Sequence, residues 1–216
     1  MTLFTNDPPR TLRRRILYRL VQWWALITLW ILVRYRYRQA EHMSVAGGAL
    51  ICPNHCSHLD PMAVGCTPRR RVNFLAKKSL WNWKPLGRLL SAIDCIPLDR
   101  EASGISGMKE TLKRLKRGEL VVLFPEGERS PTGELQPLKT GFTALVKRVK
   151  IPVVPVGIHG TFEAWPPGAK RPKFGRVRLF VGEPIPYEDL AELSDQEMAE
   201  YVGSKIAECY EEAKKF

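Results

Sequence analysis

Two rhythms of apolar residues alternate along the chain. Short continuous runs occupy residues 49–52, 72–76, 120–124, 153–158 and 177–181, bounded by Gly, Pro or charged positions. Runs of that length predict buried strands. Between them, apolar residues recur every three or four positions, which predicts amphipathic helices. In residues 103–118, Ser103 is a candidate N-cap and Gly118 the stop. Near the end of the chain Ser194 and Glu197 fit a capping box, and Met198, Val202, Ile206 and Cys209 share one helix face. Strands alternating with helices predict an α/β domain, a sheet flanked by helices. Pro155, inside the fourth run, predicts a weakened strand or a bulge there.

Residues 20–33 follow neither rhythm. They are apolar on all sides, with Gln22 the one strongly polar member, and fall short of the ~20 residues a spanning helix needs. Arg13, Arg14 and Arg15 precede the run and Arg34, Arg36 and Arg38 follow it, so no charge asymmetry orients a span. Trp23, Trp24, Trp30, Tyr35 and Tyr37 suit the headgroup level of a bilayer. The arginines after the run, with no small-residue cleavage pattern, speak against a cleaved signal peptide. A buried core helix is the plain alternative. The flanks favour an anchor that enters a membrane without having to cross it. The chain thus divides by composition into a membrane-anchoring segment, residues 1–42, and an α/β domain, residues 43–216.

Charge sharpens this picture. The formal net charge of +12 is distributed as +6 over residues 1–42, +13 over 43–182 and −7 over 183–216. A basic body calls for anionic partners. The basic residues are dispersed and no nucleic-acid reading motif is present, so lipids and phosphorylated substrates are favoured over nucleic acid. The five cysteines, Cys52, Cys56, Cys66, Cys95 and Cys209, are scattered and form no C-x-x-C pair, which suggests neither a disulfide framework nor a zinc knuckle.

The densest chemistry lies in "ICPNHCSHLDP", residues 51–61. His55, His58 and Asp60 fall at H-x-x-H-x-D, a spacing that does not support a metal site. Cys56 beside His55 raises the idea of a thiol nucleophile, although sequence neighbours point different ways. Asp60 followed by Pro61 also matches the start of a helix, with the carboxylate as N-cap. Capping accounts for neither Asn54 nor His55.

"NHCSHLD" resembles the N-H-x-x-x-x-D box of the glycerolipid acyltransferases, of the type that acylates 1-acyl-sn-glycerol 3-phosphate (lysophosphatidate). Three more stretches follow in that family's order. "CIPLDR" resembles its second box, "FPEGERS" its third and "IPVVPVGI" its fourth, and "FLAKKSL" is similar to its lysine-bearing segment. Two positions depart from the family pattern: Asp94 stands where the second box opens with glycine, and Glu128 where the third has threonine.

The resemblance implies a mixed β-sheet flanked by helices. It also implies transfer of a fatty acyl group from acyl-CoA or acyl carrier protein to the free hydroxyl of a lysophospholipid, with no further cofactor and no metal. In that reading His55 is the general base and Asp60 fixes its tautomer and stabilises the imidazolium. Arg100 and Arg129 hold the acceptor's phosphate by bidentate forks, with Lys77 or Lys78 adding charge. Glu126 and Gly127 form a turn at the ligand, Glu126 orienting an arginine or accepting a hydroxyl. Asn54 and Ser57 complete the substrate-binding set, and Pro155 lines the acyl-donor side. Soluble donors place the site on the cytoplasmic face of a membrane. The alternatives are transfer to another lysolipid, a thioester hydrolase using the same pair, and a non-catalytic basic membrane-binding protein.

Overall fold

The computed structural model describes residues 12–67, 70–99 and 105–216; Arg100 and Ser103 therefore lie outside the described residues. In chain order the elements are α1 (Leu12–Val33), β1 (Arg36–Arg38), β2 (Ala49–Pro53), α2 (Asp60–Cys66), β3 (Val72–Lys77), α3 (Lys84–Ala92), β4 (Ile96–Leu98), α4 (Ile105–Lys116), β5 (Leu120–Val122), α5 (Thr143–Val149), β6 (Val153–His159), α6 (Thr161–Ala164), β7 (Arg178–Val181) and α7 (Asp195–Lys214).

The strands form one seven-stranded sheet in the order β1-β7-β6-β2-β5-β3-β4. The β6, β2, β5, β3 and β4 neighbours pair in parallel, β7 runs antiparallel to β6, and β1 lies parallel to β7. β2, at the centre, is buried along its whole length, which is why it reads as an unbroken apolar run. Its alternate residues serve two cores. Ala49 and Ile51 pack with Leu29, Val33 and Val64 from α1 and α2, whereas Leu50 and Cys52 pack with residues of α4, α5 and α7. The architecture is helices, sheet, helices.

All five expected strands are present. β5 stops at Val122 rather than residue 124, because the chain turns after Leu123, with Gly127 N–H donating back to Phe124 O at 3.0 Å. β1 and β4 were not expected. β1 is an edge strand exposed on every residue, so "RYR" carries no alternation to betray it. Pro155 does not interrupt β6, which runs for seven residues. Val153 exchanges both backbone hydrogen bonds with Ile185, and Val156 pairs with Val181. Three residues, 182–184, thus face two on β6. The bulge lies opposite the proline, on the side where its missing N–H would have pointed.

The two long helices sit on opposite faces of the sheet and treat their apolar residues in opposite ways. α7 begins with the expected capping box: Glu197 N–H donates to Ser194 Oγ at 3.2 Å and Ser194 N–H to Glu197 Oε2 at 2.8 Å. It buries Met198, Val202, Ile206 and Cys209 as expected. It lies so close to β6 that a Cβ on Gly157 would stand 2.1 Å from Tyr210 N. α1 instead buries Tyr18, Ala25, Leu29 and Val33 and exposes Leu20, Trp23, Trp24, Ile27, Trp30 and Ile31.

α1 is nonetheless part of the domain's core. Gln22 Nε2 donates to Gly65 O at 2.8 Å, the Tyr18 hydroxyl accepts from Val72 N–H, and Tyr35 OH donates to Ala63 O at 2.7 Å. Residue 42, where composition changes, is therefore not a packing boundary: α1 and β1 belong to the same layered body as the sheet.

Candidate active site

The five parallel strands end at one edge of the sheet, the place where loops from successive βα units converge in open α/β folds. Residues 54–59 leave β2 there, residues 123–130 leave β5, Lys77 closes β3, and α6 with Trp165 follows β6. Four stretches far apart in sequence meet because parallel topology sends them to the same edge.

His55 is held by four contacts. Its backbone N–H donates to Glu126 Oε1 at 2.9 Å, and its carbonyl accepts from Ser130 N–H at 2.8 Å. Its ring stacks on Phe124 with centroids 4.0 Å apart. Nδ1 lies 2.8 Å from Asp60 Oδ2. Asp60 is fully buried, and the same oxygen also accepts N–H from Cys56 and Ser57, each at 2.7 Å. An acceptor-only carboxylate at Nδ1 places the ring proton there and leaves Nε2 with its lone pair. Among the described residues no protein group hydrogen-bonds Nε2, and the side chain is partly open to solvent.

The capping reading of Asp60 does not hold. Its carboxylate bonds backward to the loop and gives no side-chain hydrogen bond to the helix it starts. Two other residues are also architectural. Asn54 is buried and exchanges both amide groups with the Ile158 backbone, at 3.0 and 2.7 Å, stitching the end of β2 to β6. Ser57 is buried, donating to Trp165 O at 2.7 Å and accepting from Leu59 N–H. Both were expected to touch substrate; their polar atoms are instead consumed in shaping the loop. Pro155 is also displaced from the site. It is level with Cys52 in the sheet, three residues before His55, and its ring packs near Gly182 on the α7 face.

Gly127 has φ +80°, and a Cβ there would meet the Lys139 side chain at 3.0 Å, so the turn requires glycine. Glu126 does not orient an arginine as expected. The turn tucks its carboxylate under the His55 loop, where burial and then the negative charge of Asp60 push its pKa up to about 7, against the stabilising N–H of His55. Its Oε2 is buried without a hydrogen-bond partner among the described residues. Arg129 reaches across the opening to His58, with Nη1 2.6 Å from Nε2. Burial and then the Arg129 charge lower the His58 pKa. His58 also tilts against Trp165, centroids 5.1 Å apart. His58, Phe124 and Trp165 were not singled out as site residues; aromatic walls carry no motif of their own.

Cys56 is inert. Its thiol is buried, lies 3.3 Å from Thr161 Oγ1, and is held protonated well above the ordinary range by burial and by Asp60. Lys77 is exposed at the site's edge of the sheet, and its neighbour Lys78 pairs with Asp99 at 2.9 Å. Asp94 lies before β4, at the opposite edge, with φ +62°. The left-handed backbone explains a glycine there, and aspartate tolerates it while pairing with Arg114 at 3.2 Å. It does not approach the site.

The parallel strand ends thus bring together a buried Asp60 paired with His55, an imidazole Nε2 with no hydrogen-bond partner among the described residues, and Arg129 against His58. The acyltransferase family model matches residues 34–159, more than half of the chain, and the chain belongs to that family. The 1-acyl-sn-glycerol-3-phosphate acyltransferase of Bacillus subtilis is 34% identical over 174 residues, covering 78% of this chain and 84% of that protein. The chloroplastic 1-acyl-sn-glycerol-3-phosphate acyltransferase BAT2 of Brassica napus is 27% identical over 200 residues, 91% of this chain but 56% of the plant protein. Among solved structures, the 1-acyl-sn-glycerophosphate (LPA) acyltransferase PlsC of Thermotoga maritima shares the fold, with a TM-score of 0.82 at 23% identity over 94% of this chain and 82% of that one.

Proposed function

We propose that this acyltransferase moves a fatty acyl group from a soluble thioester, acyl-CoA or acyl carrier protein, to the free hydroxyl of 1-acyl-sn-glycerol 3-phosphate, giving phosphatidic acid. The observation that carries this reading is the His55–Asp60 pair with Nε2 open beside Arg129. Nε2 takes the hydroxyl proton as oxygen attacks the thioester carbonyl, and Asp60 stabilises the imidazolium. The C–O bond forms, the C–S bond breaks, and the departing thiolate recovers the proton from Nε2. No acyl-enzyme is required, consistent with a buried, protonated Cys56. Arg129 binds the acceptor's phosphate, for which its fork is suited, and leaves His58 to do so. Lys77 adds positive charge from the adjacent strand end; Arg100 is assigned the same task from its sequence box alone.

The lysolipid resides in a bilayer, and α1 supplies the means of reaching it. Its outer face is apolar and aromatic from Leu20 to Ile31, and arginines flank it. Its inner face is hydrogen-bonded to α2 and the sheet, so the helix cannot be ringed by lipid without dragging the domain in. The helix lies in the interface rather than across the membrane, and soluble donors place it on the cytoplasmic face. The deciding experiment is incubation of the purified protein with a labelled acyl donor and a panel of lysolipids, with the product identified by mass. Phosphatidic acid formed only when lysophosphatidate is present supports the reading. Donor consumption without lysolipid would make the protein a thioesterase.

A further inference from the structure

Between α6 and β7 the chain runs through "WPPGAKRPKFGRVR", which holds five basic residues and no acidic one. Phe174 is 81% exposed, more than any other large apolar side chain among the described residues, Trp30 on α1 reaching 68%. An isolated exposed phenylalanine needs no explanation, but this one has a defined neighbour. The next residue, Gly175, donates its N–H to Leu32 O, and Val177 donates to Val33 O, so Phe174 stands one residue, about 3.8 Å of chain, from a direct tie to the last turn of α1. Among the described residues the side chains of Lys170, Arg171, Lys173 and Arg176 have no acidic partner, and Lys170, Arg171 and Lys173 directly precede Phe174.

The other end of the loop is built into the active site. Trp165 O accepts from Ser57 Oγ, its indole N–H donates to Ala169 O at 2.9 Å, its ring lies against His58, and Lys173 N–H returns to Ala164 O at 2.7 Å. The loop is therefore a strap from the wall of the site to the C-terminal end of the lipid-facing helix. A protruding aromatic tip preceded by unpaired cations, continuous with an apolar helix face, complements an anionic bilayer surface.

We propose that residues 166–176 form a second bilayer contact. Phe174 enters the acyl boundary beside α1, and Lys170, Arg171, Lys173 and Arg176 take anionic headgroups, so that the Trp165–His58 side of the active site faces the lipid from which the acceptor arrives. The proposal rests on the interfacial placement of α1 and adds a second point of contact at the end of that helix.

The five native cysteines are all buried, so a single introduced surface cysteine can be labelled selectively with an environment-sensitive dye. Full-length Phe174→Cys, Trp30→Cys and, on the far face, Gln196→Cys are labelled and mixed with vesicles of equal parts phosphatidylcholine and phosphatidylglycerol. The dye at positions 174 and 30 should shift to the blue and be quenched by lipid-borne spin labels, and the dye at 196 should not change. Unlabelled Lys173→Gln should lose about fivefold in vesicle partitioning, and Phe174→Ser about tenfold. Both should act normally on a dispersed short-chain lysolipid, which reports intact folding. A response at 30 with none at 174 would overturn the loop contact while sparing the α1 reading. No response at either position would sink both.

Discussion

The loop that holds His55 and the outer face of α1 stand on the same side of the sheet, and they are opposites in how they use their atoms. In residues 54–60 the polar side chains are committed to fixed partners: Asn54 to the Ile158 backbone, Ser57 to Trp165 and Leu59, Asp60 to three N–H groups. Asp60 Oδ1 is left buried without a hydrogen-bond partner among the described residues, and His55 Nε2 is left facing the partly open side of the loop. On α1 the outward side chains Leu20, Trp23, Trp24, Ile27, Trp30 and Ile31 are left exposed among the described residues. In the proposed function the first region acts on whatever arrives, and the second determines what arrives. Substitutions in the loop should therefore alter the rate however the substrate is presented. Substitutions on the outer face of α1 should matter only when the lysolipid sits in a bilayer.

The largest effect tests the loop. His55→Ala should lower transfer by at least about 10²- to 10⁴-fold on both dispersed and vesicle-borne lysolipid, with an unchanged unfolding transition. Asp60→Asn should fall nearly as far: asparagine caps helices well but presents an NH₂ or an uncharged oxygen to Nδ1, and the carboxylate here does no capping. Near-normal turnover in Asp60→Asn would mean the Nδ1 contact is not catalytic.

Next comes the outer face of α1. Changing Trp23, Trp24 and Trp30 together to Ser should reduce action on vesicle-borne lysolipid by about 10²-fold or more, as several buried aromatics are lost from the interface. Activity on a dispersed short-chain analogue should persist. Removing residues 1–38 is not an equivalent test, because it strips Leu29, Val33 and Tyr35 from the core and β1 from the sheet. Equal losses on both substrates in the point variant would erase the distinction between the two regions.

A smaller effect concerns the acceptor. Arg129→Lys keeps the charge and loses the fork, and should raise the apparent KM for lysophosphatidate about tenfold while leaving that for the acyl donor unchanged. Equal changes in both would detach Arg129 from the phosphate.

The smallest sharpens what holding that loop in place costs. The Glu126 pKa is raised to about 7 in the folded protein, above its value of ~4.3 in an unfolded chain. The folded state thus binds more protons over that window, and the stability Glu126 allows is present below pH ~4.3 and lost as pH rises to about 7. Glu126→Gln keeps an oxygen for His55 N–H and cannot ionise, so its melting temperature relative to wild type should climb between pH 5 and 8. A difference independent of pH would show that Glu126 does not titrate there.

Much of this was legible before any coordinates. A strand's burial is written in a continuous apolar run, so the five strands that carry the core could be read directly, and α7 announced itself by its capping box and its apolar stripe. The order of four boxes singled out His55 and Asp60, and the structure places them in contact at 2.8 Å. β1 and β4 were hidden for the complementary reason: short edge strands owe their pairing to a neighbour rather than to their own pattern.

What the sequence by itself determined is chemical: which side chains can abstract a proton, carry charge or enter lipid. Only the tertiary structure decided how those capacities are allotted. Asn54, Ser57 and Pro155 looked like substrate contacts and became architecture, because long-range partners 108 residues away for Ser57 and 104 for Asn54 claimed the two polar side chains. Asp60 lost its capping role, because the loop before it folded its N–H groups onto the carboxylate. The apolar segment from Leu20 to Ile31 had no face of its own in sequence. It acquired one when the sheet and α2 covered its inner side, since only packing against something else can tell a helix that is apolar all round which side to leave for the membrane.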